Sequence, residues 1–132
     1  MKKHKNTDSY MSPEWTLKMF DDWYDPTPLN DKPEVDALTI AWKDKTYVNP
    51  PYSRPLPFVE KAIKESNSGK IIAMLLRVDT STKWFAKIIE AKAHILWLNG
   101  RIKYRRADYK YHKPTPVTFA SMLVIFYPKD NS

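Results

Sequence analysis

No cysteine occurs among the 132 residues. Disulfides, thiolate metal sites and a cysteine nucleophile are therefore excluded. His4, His94 and His112 are the whole histidine complement. They stand far apart without ligand spacing, so no metal site is expected. Glycine appears twice against 11 prolines, which makes a stiff chain. No apolar run is long enough to span a bilayer. The start, Met1-Lys2-Lys3-His4-Lys5-Asn6, lacks the apolar segment of a signal peptide, so a cytoplasmic location is expected. Internal repeats and low-complexity tracts are absent as well.

The length suits one compact domain. Residues 1–10 read as a flexible polar N-terminus and residues 11–132 as the domain. A hydrophobic fraction of 42% with 14% aromatics indicates a globular fold rather than disorder. The net charge of +7 favours an anionic partner such as nucleic acid.

The most specific signal is Asn49-Pro50-Pro51-Tyr52, placed after the strand-like run Lys45-Thr46-Tyr47-Val48 and before an amphipathic helix. Such a corner can grip the exocyclic amine of a flipped nucleobase. The N6 amine of adenine is a poor nucleophile because its lone pair is delocalised into the ring. Two acceptors beside the NH2 group favour a localised lone pair. The Asn49 side-chain oxygen can be one acceptor and the Pro50 carbonyl the other, since proline keeps its C=O while losing its N–H. Fixed φ angles at Pro50 and Pro51 aim that carbonyl before substrate arrives. Tyr52 offers a face for stacking, worth roughly 1–3 kcal/mol per base. An enzyme that acts on one base of a duplex must first extrude it. The plain alternative is a proline-rich turn. An SH3-type ligand is not supported, because no P-x-x-P spacing exists among Pro50, Pro51, Pro55 and Pro57.

Along the chain, Ser12-Pro13-Glu14 reads as a helix start with Ser12 as N-cap. Trp15, Met19, Phe20 and Trp23 form its apolar stripe, with Met19 and Phe20 assigned to the core. Trp23 to Pro28 reads as a short strand entering a rigid loop. Leu56–Ser66 is a predicted helix burying Phe58, Val59, Ala62 and Ile63, closed by Gly69. The continuous apolar run Ile71–Leu76 marks a strand buried on both faces. Thr80 or Ser81 is expected to cap a helix over 82–91. Strands follow at 94–98 and 102–104, and Thr118–Tyr127 closes the chain. Alternating strands and helices give an α/β fold with a mostly parallel sheet and an antiparallel C-terminal strand.

A basic loop joins the last strands. Arg101, Lys103, Arg105, Arg106, Lys110 and Lys113 are interleaved there with Tyr104, Tyr109 and Tyr111. Cations bind phosphates, and tyrosines stack on bases or wedge into a duplex. The alternative is a solvated hairpin whose charges protect a sheet edge. Together with Ser53 and Arg54 beside the tetrapeptide, Arg101, Lys103, Arg105, Arg106 and Lys110 are the candidate nucleic-acid contacts.

Taken in order, these pieces resemble the phage-type, Dam-like DNA adenine-N6 methyltransferases over roughly residues 10–127. The likeness rests on Trp15, Asp25-Pro26, Asp36-Ala37-Leu38 with Trp42, and Val48 to Ser53. It continues through Lys61-Ala62, Leu75-Leu76, Thr82 with Trp84-Phe85, and Gly100-Arg101-Ile102-Lys103-Tyr104. The resemblance implies a reduced Rossmann-like methyltransferase sheet, S-adenosylmethionine as methyl donor and DNA as partner. It implies that Asn49, Pro50, Pro51 and Tyr52 hold the target adenine. Trp15, Thr16, Asp25, Pro26 and Asp36 are the implied donor contacts. For a viral protein the location becomes the host-cell cytoplasm. Two departures stand out. No glycine precedes Gly69, and the stretch from Asp25 to the 45–48 strand is too short for two strand–helix units. The donor side is thus reduced, leaving weak donor binding or completion by a second subunit in a homodimer. A catalytically degenerate, methyltransferase-like nucleic-acid-binding protein is the alternative reading.

Overall fold

The computed structural model describes residues 10–27, 37–106, 115–116 and 119–129. Asp36, Tyr109, Lys110, Tyr111 and Lys113, named above, lie outside them. In chain order the elements are β1 (Tyr10–Met11), α1 (Glu14–Met19), β2 (Lys45–Val48), α2 (Pro55–Asn67) and β3 (Ile71–Arg77). After these come α3 (Lys83–Glu90), β4 (His94–Trp97), β5 (Lys103–Arg106), β6 (Thr115–Pro116) and β7 (Ser121–Phe126).

β3 and β7 form the centre of a four-stranded sheet ordered β2-β3-β7-β4. β3 runs parallel to β2 with Lys45 opposite Ile71, and antiparallel to β7 with Ala73 opposite Ile125. β4 is also antiparallel to β7, with Ile95 opposite Val124. Three strands therefore share one direction. The expected antiparallel C-terminal strand is present, but it inserts between β3 and β4 rather than adding at an edge. The expected mostly parallel sheet with a reversed C-terminal strand is thus met in strand direction, although β2–β3 is the one parallel ladder among the described strands because β7 separates β3 from β4. A parallel bridge from Tyr24 to Thr46 extends the sheet past β2, and the Tyr24 N–H donates to the Lys45 carbonyl at 2.9 Å. The predicted strand at 23–28 is reduced to this contact.

Side chains alternate across a strand, and both faces of β3 are covered. Ile72, Met74 and Leu76, with Met122, Val124 and Phe126, pack against Phe58, Val59 and Ala62 of α2 and Trp84, Phe85 and Ile88 of α3. Ala73, Leu75, Leu123 and Ile125 pack on the opposite face with Tyr47 and Ile102, joined by Phe20, Trp23 and Phe119. Two covered faces explain why β3 is apolar from Ile71 to Leu76. A separate small sheet, β1-β5-β6, is antiparallel.

α2 begins on Pro55, whose missing N–H costs nothing in the first turn. It ends where the Gly69 N–H donates to Ser66 and the Lys70 N–H to Glu65. Gly69 takes φ +109°, which glycine accepts without steric cost. α3 is capped by Thr82, whose hydroxyl oxygen accepts from the Phe85 N–H at 3.2 Å. Thr80 and Ser81 were the expected caps, but the Ser81 hydroxyl donates to Asp79 instead. α1 departs furthest from expectation. Its N-cap is Pro13, with no side-chain cap bond. Met19 is 56% exposed rather than buried, and the helix buries Thr16 instead.

Candidate active site

The carboxyl ends of β2 and β3 open into a shallow surface cleft. In open α/β sheets, ligands bind outside the carboxyl ends of the strands. Asn49, Pro50, Pro51 and Tyr52 form one wall, and Pro55, Leu75, Leu76, Arg77 and Phe119 complete the lining. Tyr52 is 37% exposed. Its ring centroid lies 5.1 Å from that of Phe119. Arg77, the last residue of β3, donates from Nη1 to the Tyr52 carbonyl at 2.6 Å. Its guanidinium covers the Tyr52 ring at 4.5 Å and the Trp84 ring at 5.1 Å. The tetrapeptide wall is thus fastened from the neighbouring strand.

Behind Asn49 sits a buried polar shelf. The Asn49 Nδ2 donates to Ser12 Oγ at 3.1 Å, and Ser12 Oγ lies 3.0 Å from the Tyr47 hydroxyl. The Asn49 backbone N–H donates to Thr27 Oγ1 at 3.3 Å. Thr27 in turn donates its N–H and its hydroxyl to Asp25 Oδ1, at 2.8 and 3.1 Å. Burial pushes the Asp25 carboxyl above its ordinary value of 3.8, while the two Thr27 bonds pull the other way. Burial also pushes the Tyr47 hydroxyl above 10.0; bonds with Ser12 and Thr16 oppose the shift, and the charge of Asp25 reinforces it. No basic side chain among the described residues pairs with Asp25.

The family model described as DNA N-6-adenine-methyltransferase (Dam) matches residues 31–131. The chain belongs to this Dam family. It is 39% identical over 105 residues to a DNA N-6-adenine-methyltransferase of Haemophilus phage HP1 (strain HP1c1), covering 74% of this chain and 57% of that protein. It is 43% identical over 69 residues to a DNA N-6-adenine-methyltransferase of Escherichia phage T1, covering 51% of this chain and 29% of that one. The matches thus span little more than half of the first relative and under a third of the second. No solved structure matches.

The Dam segment contains the whole cleft lining but begins after Ser12, Thr16, Asp25 and Thr27. Of the residues singled out in the sequence, Asn49, Pro50, Pro51 and Tyr52 come together in the cleft. Asp25 joins Asn49 through Thr27, while the buried Thr16 hydroxyl donates to the Pro13 carbonyl. Trp15 lies on α1, 38% exposed, and Pro26 is buried beside Asp25. Ser53, Arg54 and Arg101 are exposed. Lys103, Arg105 and Arg106 belong to β5, in the small sheet rather than the four-stranded one. Sequence reasoning missed Arg77, Phe119, Thr27 and Tyr47, and it misread Ser12 as a cap. A charge ending an apolar run does mark the strand edge at Arg77. Nothing local in the sequence ties Phe119 to Tyr52.

Proposed function

We propose that this protein is an S-adenosylmethionine-dependent DNA methyltransferase acting on the N6 amine of adenine in a flipped base. The observation that carries this reading is the placement of Asn49. Its amide nitrogen is engaged by Ser12 while the residue lines a cleft that also holds the packed Tyr52 and Phe119 rings. With the nitrogen donating to Ser12, the oxygen is the accepting arm of the amide, and an acceptor is what a target amine needs. Membership of the Dam family and the names of the phage relatives support adenine as the target.

In this reading Asn49 Oδ1 and the Pro50 carbonyl accept the two amine hydrogens and localise the nitrogen lone pair toward the methyl donor. Tyr52 and Phe119 hold the base plane. Arg77 keeps the Tyr52 backbone fixed, so the reacting geometry is held before substrate enters. When bound, S-adenosylmethionine supplies an electrophilic sulfonium methyl group. The residues that would hold it are Asp25, Pro26, Trp15 and Thr16. They fit, because Asp25 is a half-buried carboxylate that lacks a cationic partner among the described residues, and the donor carries positive charge. The four-stranded sheet is read as the remaining part of a Rossmann-like methyltransferase sheet, cut short beyond the Tyr24 bridge. A second copy of the chain is the natural source of the missing wall. The substrate DNA is met in the host-cell cytoplasm.

Tritiated methyl transfer to DNA, followed by nucleoside analysis, tests the proposal. The wild type should yield N6-methyladenine, and Asn49→Ala should lose about 100-fold or more of the rate, as when one preorganised hydrogen-bonding group is deleted. Equal transfer by both proteins would remove Asn49 from the mechanism. DNA binding without any transfer would leave a nucleic-acid-binding protein.

A further inference from the structure

We propose that Trp97 meets the duplex beside the extruded adenine, its indole stacking into the gap that the base leaves; the proposal rests on the methyltransferase reading above. β2, β3 and β4 share one direction, so the end of β4 lies on the sheet edge that carries the cleft. Trp97 is the last residue of β4. It stands opposite Met122 of β7, while Arg77 of the cleft stands opposite the adjacent Ser121. Two strand spacings of about 4.8 Å place Trp97 about 10 Å from Arg77 along that edge. Phe119, also part of the cleft lining, precedes β7 on the same edge.

Trp97 is 61% exposed, more than any other large apolar side chain among the described residues. Its place in the fold is nevertheless firmly held. The ladder between β4 and β7 fixes its backbone, and the next residue, Leu98, donates its N–H to the Ser121 carbonyl at 3.2 Å. Leu98 and the buried Ile102 both pack into the cluster on the Tyr47 face of the sheet. Gly100, at φ +75°, turns the chain between them. The turn pinned in this way also presents the exposed Arg101 and leads into Lys103, Arg105 and Arg106 of β5. An exposed indole alone would suit many partners. Beside a run of cations, on a chain of net charge +7, it suits a polyanion that offers aromatic faces, which is DNA. Extrusion sacrifices the stacking of the departing base, and an inserted aromatic side chain restores part of it.

Trp97→Ala removes little packing, so its melting temperature should match that of the wild type. In steady-state assays at saturating donor it should lower kcat/KM for duplex DNA about 5- to 150-fold, the range for one lost base stack, with KM for the donor unchanged. Trp97→Phe should keep most of the wild-type rate. Equal kcat/KM in wild type and Trp97→Ala would overturn the proposal. A second readout needs no activity: tryptophan emission during titration with a duplex that carries one abasic site and so offers the gap ready made. The wild type should be quenched as the indole stacks, and Trp97→Phe should lose that part of the quench. Identical quenching in the two proteins would overturn the proposal. So would a wild-type dimer that Trp97→Ala splits without loss of duplex affinity, since β4 would then be a contact between copies. A wild type that transfers no methyl group to any DNA would overturn the methyltransferase reading, while the quench would still decide whether Trp97 enters DNA.

Discussion

Asp25 occupies a position where its charge is disfavoured. Burial raises its carboxyl above 3.8, and only the Thr27 N–H and hydroxyl oppose this. An acid whose folded value is raised costs stability once ionised. That penalty is fully present above the folded value and relaxes as pH falls toward the unfolded one. At neutral pH Asp25→Asn keeps an oxygen for both Thr27 bonds and removes the buried charge. The variant should therefore melt at higher temperature than wild type at pH 7, with the gap closing in acid, while calorimetry shows weaker binding of S-adenosylmethionine. Such an exchange of stability for function is common where a site must hold a cationic ligand. A lower Tm with unchanged ligand binding would make Asp25 a structural residue. Phe119 presents a different case, an aromatic at the edge of the core on one sheet face. It is half-buried, lines the cleft, and faces Tyr52 at 5.1 Å. Phe119→Ala should lower kcat/KM for DNA about 5- to 150-fold, matching roughly 1–3 kcal/mol of stacking, with donor affinity unchanged. A steady-state assay at saturating donor reads this directly.

Among the elements, α2 does more than cover the sheet. Near its end Glu65 accepts from the Trp42 N–H at 3.2 Å, from Lys61 one turn back at 3.2 Å, and from Lys70. Lys70 also donates to the Trp42 carbonyl at 2.6 Å. This clamp fixes the chain just before β2 and hence the strand that aims Asn49. Burial alone would raise the Glu65 carboxyl, but the bonds from Lys70, the Trp42 N–H and Lys61 outweigh it and hold the group below 4.5. A depressed acid contributes stability that is complete above the unfolded value and is lost as pH falls through the folded one. The urea midpoint should therefore drop below about pH 4.5, and Glu65→Ala should flatten that drop while costing about 1–3 kcal/mol at pH 7. Parallel pH dependence in both proteins would contradict the clamp. α2 was legible in the sequence because periodicity, prolines at the start and Gly69 at the end agree. β3 was legible because a strand covered on both faces has no polar positions. The slot taken by β7 was not, since pairing order depends on contacts between residues far apart in sequence. The cap of α3 was misplaced by a residue or two among three adjacent hydroxyls, where only geometry selects Thr82. Ser12 matched a capping pattern, but its hydroxyl serves the distant Asn49 instead. In the site, the tetrapeptide was readable as a local motif, whereas the shelf behind it joins three separate segments and left no local signal.

For the molecule as a whole, the net charge of +7 gains meaning from where β5 lies. β5 pairs with β1 so that Met11 is opposite Arg105 and Tyr10 opposite Arg106. The residue after β1 is Ser12, which reaches Asn49. The basic strand is thus anchored one residue from the hydrogen-bond chain behind the cleft. A duplex whose phosphates rest along β5 would lie near the point where an extruded base must enter. If Arg105 and Arg106 each neutralise one phosphate, replacing both by alanine should lower the slope of log K against log salt by about 1.8, since each contact contributes about 0.9 on duplex DNA. Anisotropy titrations of a labelled duplex between about 50 and 200 mM salt cover the range in which that electrostatic contribution is largest. The loss should be the same for any duplex sequence, because phosphate contacts carry no base information. The Asn49→Ala variant should retain the wild-type slope, since its amide meets a base and not a phosphate. An unchanged slope in the Arg105→Ala, Arg106→Ala protein would instead make β5 a solvated edge and move the DNA path to the Ser53, Arg54 side of the cleft.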